Sequence, residues 1–160
     1  MTITQPNLRS NLIVKNCMAD KIFVDSNVWV YLFASDHISK NIVARNFIAE
    51  NSLNNNILVI SFQVLNEVAA TLKIKKKFSE EKIRFVIENM FNLCLVQDFT
   101  KNILLKASTL RNDHNFSYWD SLIVATAIEA RCKQLSSEDM QHGQTIYGLK
   151  INNIFCSISE

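Results

Sequence analysis

Four carboxylate side chains stand beside apolar runs, where ordinary surface acids are uncommon. They are, in chain order, Asp25, Glu67, Asp120 and Asp139. Carboxylate oxygens are hard ligands, the kind that Mg²⁺ and Mn²⁺ prefer in proteins. If the chain folds so that these acids meet, they would form a site for such a cation.

Each acid also has a purely structural explanation. Asp is favoured as a helix N-cap, which suits Asp25 after the apolar run at 22–24. Asp120 ends a Ser-x-x-Asp string before an apolar run and resembles a capping box, and Asp139 suits an Asx-turn. Glu67 lies too far into its predicted helix to cap it, but one position in each helical turn faces water. Taken one by one, the acids leave both interpretations open.

Short apolar runs alternate with helical patterns along the chain. This alternation predicts an α/β fold in which helices cover both faces of a parallel sheet. Three of the four acids fall where strand ends meet helix starts, so we expect them at one edge of that sheet. Strands are predicted at 22–24, 57–60, 93–96, 134–136, 145–146 and 154–155, and helices at 28–34, 38–53, 62–75, 79–91, 100–111 and 117–131.

Length and composition favour one folded domain. The chain has 160 residues, of which 48% are hydrophobic, and its net charge is only +2, which argues against a polybasic nucleic-acid binder. Two Gly and one Pro argue against a turn-dense β-sandwich, and no glycine-rich phosphate loop is present. We predict a domain over residues 20–160, preceded by a disordered N-terminal extension, residues 1–19.

The cysteine pattern and the hydropathy predict a reduced, cytoplasmic protein. The four cysteines are scattered without C-x-x-C spacing, which disfavours a disulfide framework and a zinc site. No apolar run reaches the roughly 18 residues that a membrane span needs. The histidines disfavour a metal-free mechanism of RNA cleavage. His37 and His114 fall in no catalytic-looking string, and His142, in the acidic string that contains Asp139, suits a turn with Gly143.

One dense positive run follows the third predicted helix. It contains Lys73, Lys75, Lys76 and Lys77. Lysines at a helix C-terminus interact favourably with the helix dipole, so a solvated helix end explains them. They also suit contacts with the phosphates of RNA, as a weaker interpretation.

Four strings surround the acids: FVDSNVW at 23–29, SFQVLNE at 61–67, YWDSLI at 118–123 and LSSEDMQHG at 135–143. These strings resemble those of the PIN-domain nucleases, and more narrowly those of the VapC-type toxins of bacterial toxin–antitoxin pairs. They occur in the family order and extend the resemblance over about residues 20–156.

The resemblance implies a fold and a set of site residues. The fold would be a PIN-like three-layer α/β/α arrangement around a central, mainly parallel sheet of four to five strands. Asn27 and Ser137 match supporting polar positions, and Glu138 competes with its neighbour as the fourth acid. The catalytic acids would be Asp25, Glu67, Asp120 and Asp139, with Asp25, Asp120 and Asp139 as metal ligands.

The function implied is that of an Mg²⁺- or Mn²⁺-dependent endoribonuclease. Its partners would be an RNA substrate, a cognate antitoxin and a second copy of the chain in a homodimer, with no membrane involved. One alternative is a catalytically inactive PIN-fold module that binds RNA or protein, although all four acids are present. Another is a phosphohydrolase with Asp25 as nucleophile, but that chemistry usually wants a second acid two residues later, where Asn27 stands.

Overall fold

The computed structural model of the chain describes residues 19–34 and 36–158. Most of the predicted N-terminal extension, residues 1–18, lies outside the described residues. Six strands are present in the described ranges: β1 (Lys21–Val24), β2 (Ile57–Ser61), β3 (Leu95–Gln97), β4 (Gln134–Ser136), β5 (Thr145–Ile146) and β6 (Leu149–Asn152). The same ranges form six helices: α1 (Ser26–Phe33), α2 (Ile38–Leu53), α3 (Phe62–Ile74), α4 (Glu80–Leu93), α5 (Lys101–His114) and α6 (Tyr118–Glu129).

The strands form one sheet in the order β3-β2-β1-β4-β6-β5, and only β5 runs antiparallel to its neighbour. The register places Phe23 beside both Val59 and Leu135, and all three side chains are fully buried. Apolar runs without alternation are typical of parallel strands covered on both faces. The chain moves from β1 outward to β3 and then returns to β4 on the other side of β1. The strand order therefore reverses between β1 and β4, where α/β folds bind their ligands.

The helices pack in two groups. α1 packs against α2 and α3, and α3 against α4, whereas α5 and α6 pack against each other. Every residue from Ser121 to Ala127 in α6 is buried, since this helix is covered on all sides. The sheet lies between the two groups, and the predicted three-layer α/β/α architecture with a mainly parallel sheet is confirmed.

The sheet has one or two strands more than the four to five expected, because the C-terminal segment forms a hairpin. The predicted strand at 145–146 is confirmed as β5, and it turns into β6 through Tyr147 and Gly148. Both turn residues have positive φ, 47° and 84°, as a tight two-residue hairpin requires. β6 then pairs in parallel with β4.

The strand predicted at 154–155 is wrong, since residues 154–157 form turns. Phe155 is nevertheless buried, with 4% of its surface exposed, because its ring packs edge-on against Tyr31 at a centroid distance of 5.1 Å. The apolar pattern that predicts a strand here therefore reflects the packing of Phe155 against Tyr31, and the segment does not pair with another strand.

Hydroxyl side chains fix most helix starts. Ser61, Ser79, Thr100 and Ser117 each accept a hydrogen bond from the backbone N–H three residues later, the N-cap geometry. Several boundaries differ from the prediction by one to three residues, and two of these differences have a clear local cause. α1 begins at Ser26, not 28, because Asp25 caps it directly after β1. The third strand begins at Leu95, not 93, because α4 continues to Leu93.

The cysteines at 94, 132 and 156 are free thiols. Within 19–34 and 36–158, the helices are too short or too polar to cross a bilayer.

Candidate active site

Asp25 occupies the carboxyl end of β1, beside the point where the strand order reverses. Only 6% of its surface is exposed. Its carboxylate accepts hydrogen bonds from the Ser26 backbone N–H at 2.7 Å, the Ser137 hydroxyl at 2.7 Å and the Asn27 amide at 3.5 Å. The capping interpretation is therefore confirmed, since Asp25 caps α1. The same residue lies at the strand-order reversal, and its functional role stays a prediction.

The environment of Asp25 disfavours its charged form. Burial raises the pKa of the carboxyl from 3.8 to about 6, although the hydrogen bonds from Ser137 and Ser26 lower it. The nearby carboxylates of Glu67 and Asp139 raise it further. A buried acid next to two more acids is electrostatically frustrated, and a bound cation would relieve this.

Glu67 joins the site from the middle of α3. One of its oxygens accepts a hydrogen bond from the Ser26 hydroxyl at 2.8 Å, and the other accepts one from the Gln63 amide at 2.8 Å. Ser26 thus contacts two acids, because its backbone N–H binds Asp25. The half-buried position shows that Glu67 does not occupy the solvated face of its helix.

Asp139 approaches Asp25 through Asn27. The Asn27 amide nitrogen donates to Asp139 at 3.1 Å and, more weakly, to Asp25 at 3.5 Å. The Asp139 backbone N–H donates to the Ser137 hydroxyl, which itself donates to Asp25. Asn27 and Ser137, the two predicted supporting residues, therefore tie the loop after β4 to the end of β1.

Asp120 reaches the same edge of the molecule on the first turn of α6. The Ser117 hydroxyl accepts from the Asp120 backbone N–H at 3.1 Å, which is the N-cap bond of a capping box. The same hydroxyl donates to the Asp120 carboxylate at 2.6 Å, in place of the backbone bond that completes such a box. The Gln63 amide, which binds Glu67, also lies 3.5 Å from the carbonyl oxygen of Trp119. In the described structure no hydrogen bond or ion pair joins Asp120 to the other three acids. Those three are linked through shared hydrogen-bond partners, Ser26 and Asn27.

Glu138 and Asp139 face different surroundings. The Glu138 carboxylate binds the Lys40 ammonium at 2.6 Å, and Lys40 also donates to the Tyr31 hydroxyl at 3.1 Å. The hydrogen bond to Glu138 raises the pKa of Lys40 above its usual value. Glu138 is therefore engaged by α2, and Asp139 is the acid that contacts the Asp25 group.

This difference predicts opposite results for two matched substitutions. We expect Asp139→Asn to lower RNA cleavage by about tenfold to a hundredfold, the usual cost of disturbing groups around a metal site. Glu138→Gln keeps cleavage within about threefold and lowers the free energy of unfolding by about 1 kcal/mol, since it weakens a half-exposed ion pair. Cleavage rates and urea unfolding of both variants check this, and the reverse order of activities would make Glu138 the fourth acid.

The lysine run is partly neutralised by ion pairs. Lys73 binds Glu80 at 2.7 Å, and Lys76 binds Asp36. Lys75 and Lys77 are exposed and have no ion-pair partner in the described ranges. Contact with RNA phosphates stays a prediction that now depends mainly on these two side chains.

The donor set fits a hard divalent cation. The carboxylates of Glu67 and Asp139 lie close enough to raise the pKa of Asp25. The side-chain oxygen of Asn27 is buried and has no hydrogen-bond partner among the described residues. Such an orphaned acceptor suits a metal ion or the water bound to one. Within 19–34 and 36–158, no three His, Cys, Asp or Glu side chains are already arranged as a metal cage. Mg²⁺ does not require one, because it commonly binds one or two carboxylates and keeps several waters.

Two members of the site were missed by sequence reasoning. Ser26 links Asp25 to Glu67, and Gln63 links Glu67 to the start of α6. Gln63 stands four residues before Glu67, a helical spacing that places the two side chains on one face and was an available signal. The contact from Ser26 to α3 depends on tertiary packing and has no local signal.

The raised pKa of Asp25 gives a stability prediction with a defined sign. Between pH 4 and 6 the folded state binds a proton at Asp25 that the unfolded state has lost, so stability falls as pH rises through this window. At pH 7 the deficit is about 3 kcal/mol, at 1.36 kcal/mol for each pKa unit. Urea unfolding in EDTA at pH 4 and 7 should show this loss in the wild type relative to Asp25→Asn. Parallel pH profiles of the two proteins would contradict it.

The comparisons with known proteins agree with this geometry. A family model described as the PIN domain matches residues 22–145, which contain all four acids. A search of curated proteins finds no significant match.

Solved structures with a similar fold include three from bacterial toxin–antitoxin systems. VapBC2 from Rickettsia felis, bound to a promoter DNA fragment, matches with a TM-score of 0.61 and 19% identity over 83% of this chain and 98% of that one. VapC20 from Mycobacterium tuberculosis, described as a sarcin–ricin loop cleaving toxin, matches with a TM-score of 0.58 and 16% identity. The match covers 71% of this chain and 86% of that one. A toxin–antitoxin complex from Klebsiella pneumoniae matches with a TM-score of 0.59 and 21% identity, over 80% of this chain and 94% of that one.

Proposed function

The chain belongs to the PIN-domain family, and on that premise we propose that it is a metal-dependent endoribonuclease that hydrolyses phosphodiester bonds of RNA. The observation that carries the proposal is Asp25, a buried carboxylate with a raised pKa next to Glu67 and Asp139, at the strand-order reversal. An aspartate that serves only as a helix N-cap needs neither Glu67 nor Asp139 beside it. The combination is typical of a site built around a cation and a phosphate.

Asp25 and Asp139 would hold Mg²⁺ or Mn²⁺, with Asp120 completing the site from α6. When bound, the ion would supply Lewis-acid chemistry, activating water and neutralising charge on the phosphate. The chain's own groups fix the geometry: Ser26 and Ser137 aim the Asp25 carboxylate, and Asn27 spaces it from Asp139.

Glu67 suits the role of the group that orients the attacking water. Its two oxygens are held by Ser26 and Gln63, so the carboxylate keeps one orientation beside Asp25. A carboxylate accepts hydrogen bonds from water through its remaining lone pairs, and a fixed orientation aligns that water for attack. Replacement of Glu67 by glutamine would retain the shape and remove the negative charge.

We further propose that the chain acts as the toxin of a toxin–antitoxin pair in the cytoplasm, as a homodimer. The similarity in fold to solved toxin–antitoxin complexes supports an antitoxin partner. Expression of the chain alone should arrest growth, and co-expression with its antitoxin should restore it. Sedimentation of the purified chain tests the dimer separately.

The test of the nuclease proposal is incubation of purified protein with total RNA. We expect fragments with Mn²⁺ or Mg²⁺ and none with EDTA. Asp113→Asn is a matched control, because Asp113 is an exposed acid whose carboxylate contacts only Asn112 in the described structure. Cleavage that survives EDTA would contradict the mechanism. Metal-dependent RNA binding without cleavage would favour the alternative, an inactive binding module.

A further inference from the structure

A groove with aromatic walls opens beside the acidic site. Its volume is about 630 Å³, within the range of small-ligand pockets. Phe62, Phe99 and Trp119 line it and are 49%, 54% and 61% exposed, which is unusual for three large aromatic side chains in one place. Glu67 lines the same groove, so the groove and the acidic site share a residue.

Two of the three aromatic side chains, Phe62 and Trp119, contact neighbouring rings. The Phe62 ring packs edge-on against Phe91 at a centroid distance of 6.1 Å. Trp119 packs edge-on against Tyr118 at 5.2 Å, and the Arg111 guanidinium lies 4.7 Å from the centre of the Tyr118 ring. Because these contacts restrict the rings before any ligand binds, little conformational entropy is lost on stacking.

The polar lining consists mainly of side-chain amides. Gln63 is occupied by Glu67 and the Trp119 carbonyl. Asn66 is exposed and makes no side-chain hydrogen bond to the described residues, and Gln97 makes only a 3.4 Å contact to the Asp98 carbonyl. Asn66 and Gln97 can therefore each offer both donors and acceptors to a flat ligand edge.

We propose that this groove binds an unpaired nucleobase of the RNA next to the cleaved phosphate, an inference that rests on the proposed function. Aromatic faces with amide donors and acceptors match a flat heteroaromatic ring with polar edges. No lysine or arginine lines the groove, so the phosphate remains outside, towards the acids.

The chain contains its own reporter for the groove. It has two tryptophans, of which Trp29 is fully buried and Trp119 is exposed in the groove. Base stacking on Trp119 should quench its fluorescence, while Trp29 contributes a constant background. Titrations in EDTA with a short single-stranded RNA of mixed sequence, and with an abasic chain of equal length and charge, separate base binding from phosphate binding.

We expect the RNA to quench Trp119 and the abasic chain to leave it unchanged. Phe99→Ala should weaken RNA binding by about fivefold to a hundredfold, the range found for removing one base-stacking aromatic. Phe85→Ala is the matched control, since Phe85 is 64% exposed on α4 and does not line the groove. It should bind as the wild type does.

Two results would overturn the inference. One is equal binding of the RNA and the abasic chain. The other is a Phe99→Ala variant that sediments as a smaller species while its RNA affinity stays unchanged, which would assign the groove to self-association. Because binding is measured without metal, a failure of base selectivity counts against the groove even when cleavage is observed. Absence of cleavage with intact selectivity counts against the nuclease function alone.

Discussion

We expect Asp25→Asn to lower RNA cleavage by about three orders of magnitude or more, while it makes the metal-free protein more stable. Metal-ion catalysis contributes several kcal/mol to transition-state stabilisation, and each 1.36 kcal/mol corresponds to a factor of ten in rate. Asp25 is the acid that the other groups surround, so loss of its charge should remove most of this contribution.

The gain in stability has a separate physical cause. At neutral pH the folded protein carries a buried charge at Asp25 that two neighbouring carboxylates oppose. Asparagine removes the charge but also loses part of the hydrogen bonding with Ser26 and Ser137. We therefore expect a net gain of about 1–2 kcal/mol, less than the full relief of about 3 kcal/mol. In EDTA at pH 7 the Tm should rise by about 4 °C.

The opposite signs make this prediction specific. An acid that serves only as a helix N-cap would destabilise the protein when replaced by a poorer cap and would leave cleavage unchanged. Asp113→Asn provides the baseline, because an exposed acid should change neither quantity. A variant at position 25 that is less stable and fully active would therefore assign Asp25 to capping alone.

The fold was predictable because its signals are local. Apolar runs such as the one before Asp25 mark buried parallel strands, and Ser61 and Ser117 mark helix starts by chemistry that acts within three residues. The hairpin strand β6 was missed because its register depends on the positive φ of Tyr147 and Gly148, and on pairing with β4.

The placement of the candidate acids at one sheet edge could be predicted from the sequence, but the contacts between them could not. Strand ends of a parallel sheet share one edge, so Asp25 and Asp139 were expected to meet, and they do so through Asn27. The choice between Glu138 and Asp139 could not be made from adjacent residues. The structure distinguishes their surroundings through Lys40, which lies 98 residues from Glu138 in sequence and binds it, and the role of Asp139 as the fourth acid stays a prediction. Asp120 reaches the edge of the sheet where the other acids lie only through the tertiary packing of α6, which no spacing in the sequence indicates.

The second large effect that we expect is thermal stabilisation by the divalent ion. The negative charges of Glu67 and Asp139 oppose that of Asp25, so we expect these acids to bind Mg²⁺ or Mn²⁺ in the folded state and not in the unfolded chain. A ligand at about one hundred times its Kd then adds about 2.7 kcal/mol to the free energy of unfolding. For a chain of this length that raises the Tm by roughly 5–10 °C.

The comparison that isolates this effect uses three proteins with and without EDTA. The wild type and Asp113→Asn should show the full rise in Tm with Mn²⁺, because Asp113 lies outside the acidic group. Asp25→Asn should start from a higher Tm in EDTA and gain little from the metal. The negative charge of Asp25 destabilises the metal-free protein and also binds the cation, so its removal abolishes both effects. A wild-type Tm that is indifferent to Mg²⁺ and Mn²⁺ would mean that the acids do not form a metal site. An equal rise in Asp25→Asn would place the ion elsewhere.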